Sequence, residues 1–378
     1  MLRLYGLVIL LHAFIGWRLL PEIAAFGLHW AGLLGVWLAL SAWLMPQALI
    51  ARRKKHRTFA DALVWAGSIA MGSFSSLFVL TLLREAALLV AGAADLFRPG
   101  LVPMADLQAW SAVAVPVLAG VLTLVGFFNA RRNAVVRSVD VSIADLPHAL
   151  HGFTIAQISD VHVGPTIRRR YVDAIVDTVN ALDADMIAIT GDLVDGSVAQ
   201  LSPHTEPLAR LSSRHGSYFV TGNHEYYSGV GGWVDELRRL GLRVLMNEHV
   251  VLDHGGESVV VAGVTDYSAH HYHESHRSDP AAAVAGAPQA AVRVLLAHQP
   301  RSAFVAETAG YDLQLSGHTH GGQFWPWNFF VRMQQPYTAG LKRLGKLWVY
   351  TSRGTGYWGP PKRVGAPSEI TRLRLVPA

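Results

Sequence analysis

Seven side chains with metal-binding chemistry follow five short β-compatible runs in the second half of this 378-residue chain. Ser159-Asp160-Val161-His162 follows Phe153–Ile158, and Gly191-Asp192 follows Met186–Ile189. Gly222-Asn223-His224 follows Ser217–Val220. Ala297-His298 follows Val292–Leu296, and Gly317-His318-Thr319-His320 follows Leu313–Leu315. Asp-x-His and His-x-His set alternate side chains on one side of an extended segment, so both members can reach one ion. The glycines let backbone approach closely and turn sharply. Nitrogen and oxygen donors without sulfur suit Mn, Fe, Zn, Ni or Co. Asp160, His162, Asp192, Asn223, His298, His318 and His320 exceed what one transition ion takes, and they fit two ions if one carboxylate bridges. Two ions about 4 Å apart are a recurring device for hydrolysing phosphate esters. Taken singly, each residue reads as a turn or structural side chain; the joint pattern carries the expectation.

Delivering five loops to one place requires parallel strands with aligned C-terminal ends. In open α/β sheets that edge is where ligands bind. From Val139 onward short β-rich runs alternate with helical patterns, such as Arg168–Leu182 with Val172, Ile175, Val176 and Val179 on one face. This texture predicts α/β layering over 139–378.

The first 138 residues differ. Runs at 4–20, 28–50, 62–83 and 108–128 are apolar and nearly uncharged, each close to the roughly 20 residues needed to cross a bilayer. Trp17, Trp30, Trp43, Trp65 and Trp110 lie near run ends, where indoles favour the membrane interface. The sequence therefore predicts an all-α membrane domain of four transmembrane helices. Arg52, Arg53, Lys54, Lys55 and Arg57 lie between the second and third runs, and Arg131, Arg132 and Arg137 follow the fourth. By the positive-inside rule, four spans place both termini and the C-terminal domain in the cytoplasm. A fifth crossing at 85–97 would reverse that. The net charge of +5 is modest, and its basic residues flank apolar runs, which indicates membrane rather than nucleic acid. With no cysteine, thiolate metal sites and cysteine nucleophiles are excluded.

The blocks D-x-H, G-D-x-x-D, G-N-H-E, H and G-H-x-H occur in order across Asp160–His320. In these the chain resembles the calcineurin-like metallophosphoesterase superfamily. The D-V-H-V-G-P start, the G-H-T-H-G-G-Q block and the tail Ser352–Pro361 resemble its membrane-anchored YkuE- and YaeI-like branch. The resemblance covers roughly 155–375 and implies a double β-sheet sandwich flanked by helices. It implies one ion held by Asp160, His162, Asp192 and His320, and a second by Asp192, Asn223, His298 and His318. It also implies attack on phosphorus by a hydroxide shared between the ions. His224 would protonate the leaving group or steady the phosphoryl oxygen, and Asp195 would orient that histidine. Protein phosphatases of the superfamily carry Arg-Gly after G-D-x-x-D; Gly196-Ser197 stands here. Arg353 in its Gly-flanked loop is the candidate phosphate contact instead, with a surface salt bridge as the alternative.

The reading is thus a membrane-anchored phosphoesterase with two divalent ions drawn from Mn, Fe, Zn, Ni or Co. Its substrate is a phosphate ester that could be a phospholipid or nucleotide-linked lipid. A non-catalytic metal-binding membrane scaffold is the alternative. His270, His271, His273 and His276 form a second histidine group that reads as a solvated loop. Trp325, Trp327, Phe329 and Phe330 read as core or as an apolar lip suited to a lipid substrate.

Overall fold

The computed structural model describes residues 2–51 and 57–378. The basic stretch Arg52–Lys55, on which the orientation expectation leans, lies outside the described residues. The chain divides into two compact units, 1–128 with 359–362, and 129–358 with 363–378.

In the first unit, four helices among the described residues are long and apolar enough to cross a membrane. They are α1 (Leu2–Ala24), α2 (Leu28–Ala51), α3 (Arg57–Phe97) and α4 (Met104–Arg131). α3 runs on without a break through 85–97, so that stretch forms no separate crossing. Ile15, Leu19, Leu38, Leu77, Ala112 and Val115 make the shared core. Trp17, Trp30, Trp43 and Trp110 face outward. α2 and α3 come close at Gly67, where a Cβ would sit 2.5 Å from the Leu44 carbonyl oxygen. Small residues of this kind let apolar helices associate without a hydrophobic drive. Lys362 also belongs to this unit, and its Nζ donates to Gly72 O at 2.8 Å and Ser76 Oγ at 2.6 Å.

The second unit begins with β1 (Val135–Ile143), β2 (Thr154–Ile158), α5 (Arg169–Asn180), β3 (Met186–Ile189), α6 (Val198–Thr205), β4 (Ser217–Phe219), α7 (Asn223–Ser228), α8 (Val230–Arg239) and β5 (Arg243–Val244). It continues with β6 (Glu248–His254), β7 (Glu257–Gly263), α9 (Pro280–Val284), β8 (Val292–Leu296), α10 (Ala303–Thr308), β9 (Leu313–Ser316), α11 (Trp327–Val331), β10 (Gly340–Leu344), β11 (Leu347–Thr351) and β12 (Glu369–Pro377). Its strands form two six-stranded mixed sheets, ordered β1-β12-β2-β3-β4-β5 and β10-β11-β9-β8-β7-β6.

Side-chain alternation explains why the sheets stack. In β3, Met186 and Ala188 enter the core between the sheets, while Ile187 and Ile189 face α5 and α8. In β8, Val292, Val294 and Leu296 enter the same inter-sheet core, and Leu295 faces α9 and α10. Both faces of these central strands are apolar because both are covered. The result is a double β-sheet sandwich flanked by helices, preceded in the chain by a unit of four candidate membrane-spanning helices. β2, β3 and β4 run parallel in one sheet, and β8 and β9 run parallel in the other. Their C-terminal ends carry the five loops singled out by the sequence.

Candidate metal centre

Three of those loops, at Asp160, Asp192 and His318, turn abruptly as their strands end. Asp160, His162, Asp192, His318 and His320 all adopt positive φ, between 51° and 70°. Non-glycine residues seldom do so, and such strain concentrates at functional sites. The turns are packed against one another. A Cβ on Gly222 would lie 2.2 Å from Asp192 Oδ1, and one on Gly317 would lie 2.2 Å from Asp160 Oδ2. Glycine is what lets carboxylate and backbone share the space.

The loops converge. Among the described residues, three groups have ligand atoms close enough to hold an ion: Asp160 with His162 and His320, His162 with Asp192 and His224, and Asp192 with His298 and His318. Asp192 is central. Its Oδ2 lies 3.1 Å from His298 Nε2 and 3.9 Å from both His162 Nε2 and His224 Nε2. His162 Nε2 and His320 Nε2 are 3.0 Å apart, and His318 Nδ1 and His298 Nε2 are 3.2 Å apart. Asn223 opens α7 with its Oδ1 buried and, among the described residues, without a hydrogen-bond partner. Buried polar atoms are rarely left so. A buried oxygen without a partner, next in sequence to the Gly222 that packs against Asp192, fits a divalent cation.

Electrostatics agree with that fit. Burial drives the Asp160 carboxyl up. Burial also works against Asp192, yet His298 and His224 hold it well below the carboxylate range. His298 is raised well above the usual imidazole value by Asp192, again against burial. Burial and the neighbouring His298 press His318 down to about 3, so it is neutral and ready to ligate. His224 rises to about 9 despite burial, because Asp192 and Asp195 both face it.

Asp195 touches the site twice. Its Oδ1 lies 2.5 Å from His224 Nδ1 and 3.0 Å from His162 Nδ1. Arg353 is a quarter exposed, and its Nη1 donates to Glu369 at 2.9 Å. His270, His271, His273 and His276 join none of the three groups; His276 Nδ1 instead lies 3.1 Å from the Tyr226 hydroxyl. Trp325, Trp327, Phe329 and Phe330 are exposed, as is Met333.

Two supporting residues escaped the sequence reading. Glu225 is fully buried and accepts backbone N–H bonds from Gly222, Asp192, Leu193 and Val194. It ties the Asp192 turn to the Asn223 turn. Its place in G-N-H-E was visible, but not what it would bind. Arg363 is also buried and donates to the carbonyls of His320, Arg353 and Ala366 at 2.8–3.1 Å. No local pattern distinguishes it from a surface arginine.

Comparison with known proteins gives the same answer as the geometry. Residues 153–322 match the calcineurin-like phosphoesterase family. A transmembrane protein with metallophosphoesterase domain from Bos taurus is 40% identical over 266 residues, covering 68% of this chain and 60% of that protein. An uncharacterised metallophosphoesterase from Campylobacter jejuni is 35% identical over 261 residues, 68% of each chain. The Bacillus subtilis metallophosphoesterase YkuE is 28% identical over 239 residues, 61% of this chain and 81% of the other. The chain belongs to the calcineurin-like metallophosphoesterase family. Its match spans 61% and 60% of the length of the animal transmembrane relatives from Danio rerio and Bos taurus.

Proposed function

We propose that this protein is a membrane-anchored, metal-dependent phosphoric ester hydrolase. The observation that carries the reading is the sharing of Asp192 between ligand groups, next to a histidine that the same carboxylate keeps protonated. Asp160, His162, Asp192 and His320 would hold one divalent ion, and Asp192, Asn223, His298 and His318 a second. Bound there, such ions lower the pKa of water and offset charge on phosphoryl oxygens. The remaining work falls to side chains. Water that has released one proton to solvent would bond through its oxygen to phosphorus, the bond from phosphorus to the leaving oxygen would break, and His224 Nε2 would give that oxygen its proton. Asp195 fixes the tautomer by accepting from His224 Nδ1. Arg353, held by Glu369, presents its remaining N–H groups to the phosphate.

A lipid-linked substrate is supported by α11 and its flanks. Trp327, Phe329, Phe330 and Met333 are 44–82% exposed, just beyond the His320 turn. Apolar side chains clustered this way on a polar domain mark a lipid or partner contact. The four apolar helices support a membrane location, which we read as the cell membrane with the hydrolase unit in the cytoplasm. A purely structural metal site would not need the His224–Asp195 pair, which disfavours a scaffold role.

The test uses the full chain in nanodiscs with Mn. It should hydrolyse an aryl phosphodiester, and Asp192→Asn should abolish turnover. Absence of hydrolysis across Mn, Zn, Fe, Ni and Co would refute the reading. Trp327→Ser with Phe330→Ser should lower turnover of a phospholipid more than that of the soluble ester.

A further inference from the structure

His224 has aromatic rings packed against it from two elements. Tyr227, one turn further along α7, sets its ring centroid 5.0 Å from that of His224 at 57°. Trp358, from the loop after β11, sits 5.8 Å away at 77°. Tyr272 extends the row, 5.7 Å from Tyr227. These rings are not core: Tyr227 is 58% exposed and Trp358 49%.

Trp358 is held deliberately. The Gln323 carboxamide oxygen accepts from Trp358 N, and its Nε2 donates to Trp358 O, both at 2.9 Å. Gln323 is buried and adopts φ +56°, a conformation that costs energy outside glycine. It stands three residues after His320. One strained turn therefore carries both a metal-facing histidine and the clamp on an exposed indole.

We propose that Tyr227 and Trp358 form an aromatic subsite that grips a planar ring of the leaving group, a nucleobase, so that the preferred substrates are nucleoside-bearing phosphate esters. This rests on the hydrolase reading, because His224 is the group assigned to the leaving oxygen. Open aromatic faces stack on any base without hydrogen-bond readout. Tyr227 and Tyr272 also carry hydroxyls, which suit the polar edge of a base and are wasted on an acyl chain.

The experiment pairs two esters with the same leaving oxygen, adenosine 5′-monophosphate and ribose 5-phosphate, on the Mn-loaded full chain. The adenosine ester should be preferred in kcat/KM. Tyr227→Ala and Trp358→Ala should each cut that preference about tenfold, and Tyr227→Phe and Trp358→Phe should restore most of it. Saturation-transfer NMR supplies a readout free of turnover: the base protons of the nucleotide should be saturated by the wild-type chain and not by the alanine variants. Equal losses on both esters would reduce the rings to structural support and overturn the proposal. So would absent base saturation, or a preference for a lysophospholipid that the alanine variants abolish. If neither ester nor the aryl phosphodiester is hydrolysed with any of the five metals but base saturation persists and depends on both rings, the hydrolase reading falls and the ring-binding site stands.

Discussion

Asp195 Oδ1 lies 3.0 Å from His162 Nδ1, and the same oxygen meets His224 Nδ1. One carboxylate thus orients a histidine assigned to metal and a histidine assigned to the leaving group. Carboxylate partners behind ligating histidines typically hold 10–100-fold of metal affinity. General acid catalysis contributes roughly 10²–10⁴-fold in rate. Asp195→Ala should therefore weaken Mn binding and lower kcat together. Calorimetric Mn titration alongside steady-state kinetics checks this, and a loss confined to kcat would show that the His162 contact is idle.

Metal affinity should climb with pH. His298 has its pKa raised well above the usual imidazole value, so near neutrality the empty centre holds a proton there. An incoming cation must displace it. Binding then releases about one proton, and affinity rises about tenfold per pH unit while His298 remains protonated. His318, already neutral with its pKa near 3, adds nothing to that slope. Mn titrations between about pH 6 and 8 would show the slope; a flat profile would contradict it.

Gly317→Ala should empty the site. The new Cβ would stand 1.9 Å from Ser159 Oγ and 2.2 Å from Asp160 Oδ2. Asp160 accepts the His318 N–H at 2.9 Å, so moving one loop moves the other. Mn affinity should fall by at least about tenfold with the fold retained, as read by electron paramagnetic resonance of free Mn and by circular dichroism.

Glu225→Ala should cost stability before chemistry. It strips acceptors from four buried N–H groups, at about 1–3 kcal/mol for each group left unsatisfied. The thermal midpoint should drop clearly, with Glu225→Gln intermediate because one carboxamide oxygen can still accept. Burial and the nearby Asp192 push the Glu225 carboxyl up to about 7.

Much of this architecture could be read in one dimension because its signals are local. Strand ends followed by Asp, Asn or His announced the five loops, and the unbroken apolar run Met186–Ile189 announced a buried β3. The edge strands β1, β6 and β10 were missed, since half-exposed strands with charged faces such as 340–344 look like loops. Arg363 and Glu225 were missed for another reason: their partners are backbone groups brought together only by folding. Gln323 stood in view within G-H-T-H-G-G-Q, yet its hold on Trp358 spans 35 residues of sequence.

The tetrapeptide Gly359–Lys362 groups with the helical unit, while its neighbours Trp358 and Arg363 belong to the sandwich. Severing the polypeptide near residue 131 would thus not free a sandwich unit of uninterrupted sequence. The excised fragment would carry a stretch whose lysine had lost Gly72 and Ser76, spliced directly between the indole of the aromatic subsite and the guanidinium that props His320. Anyone seeking a tractable soluble version should expect to redesign that stretch as well as make the cut.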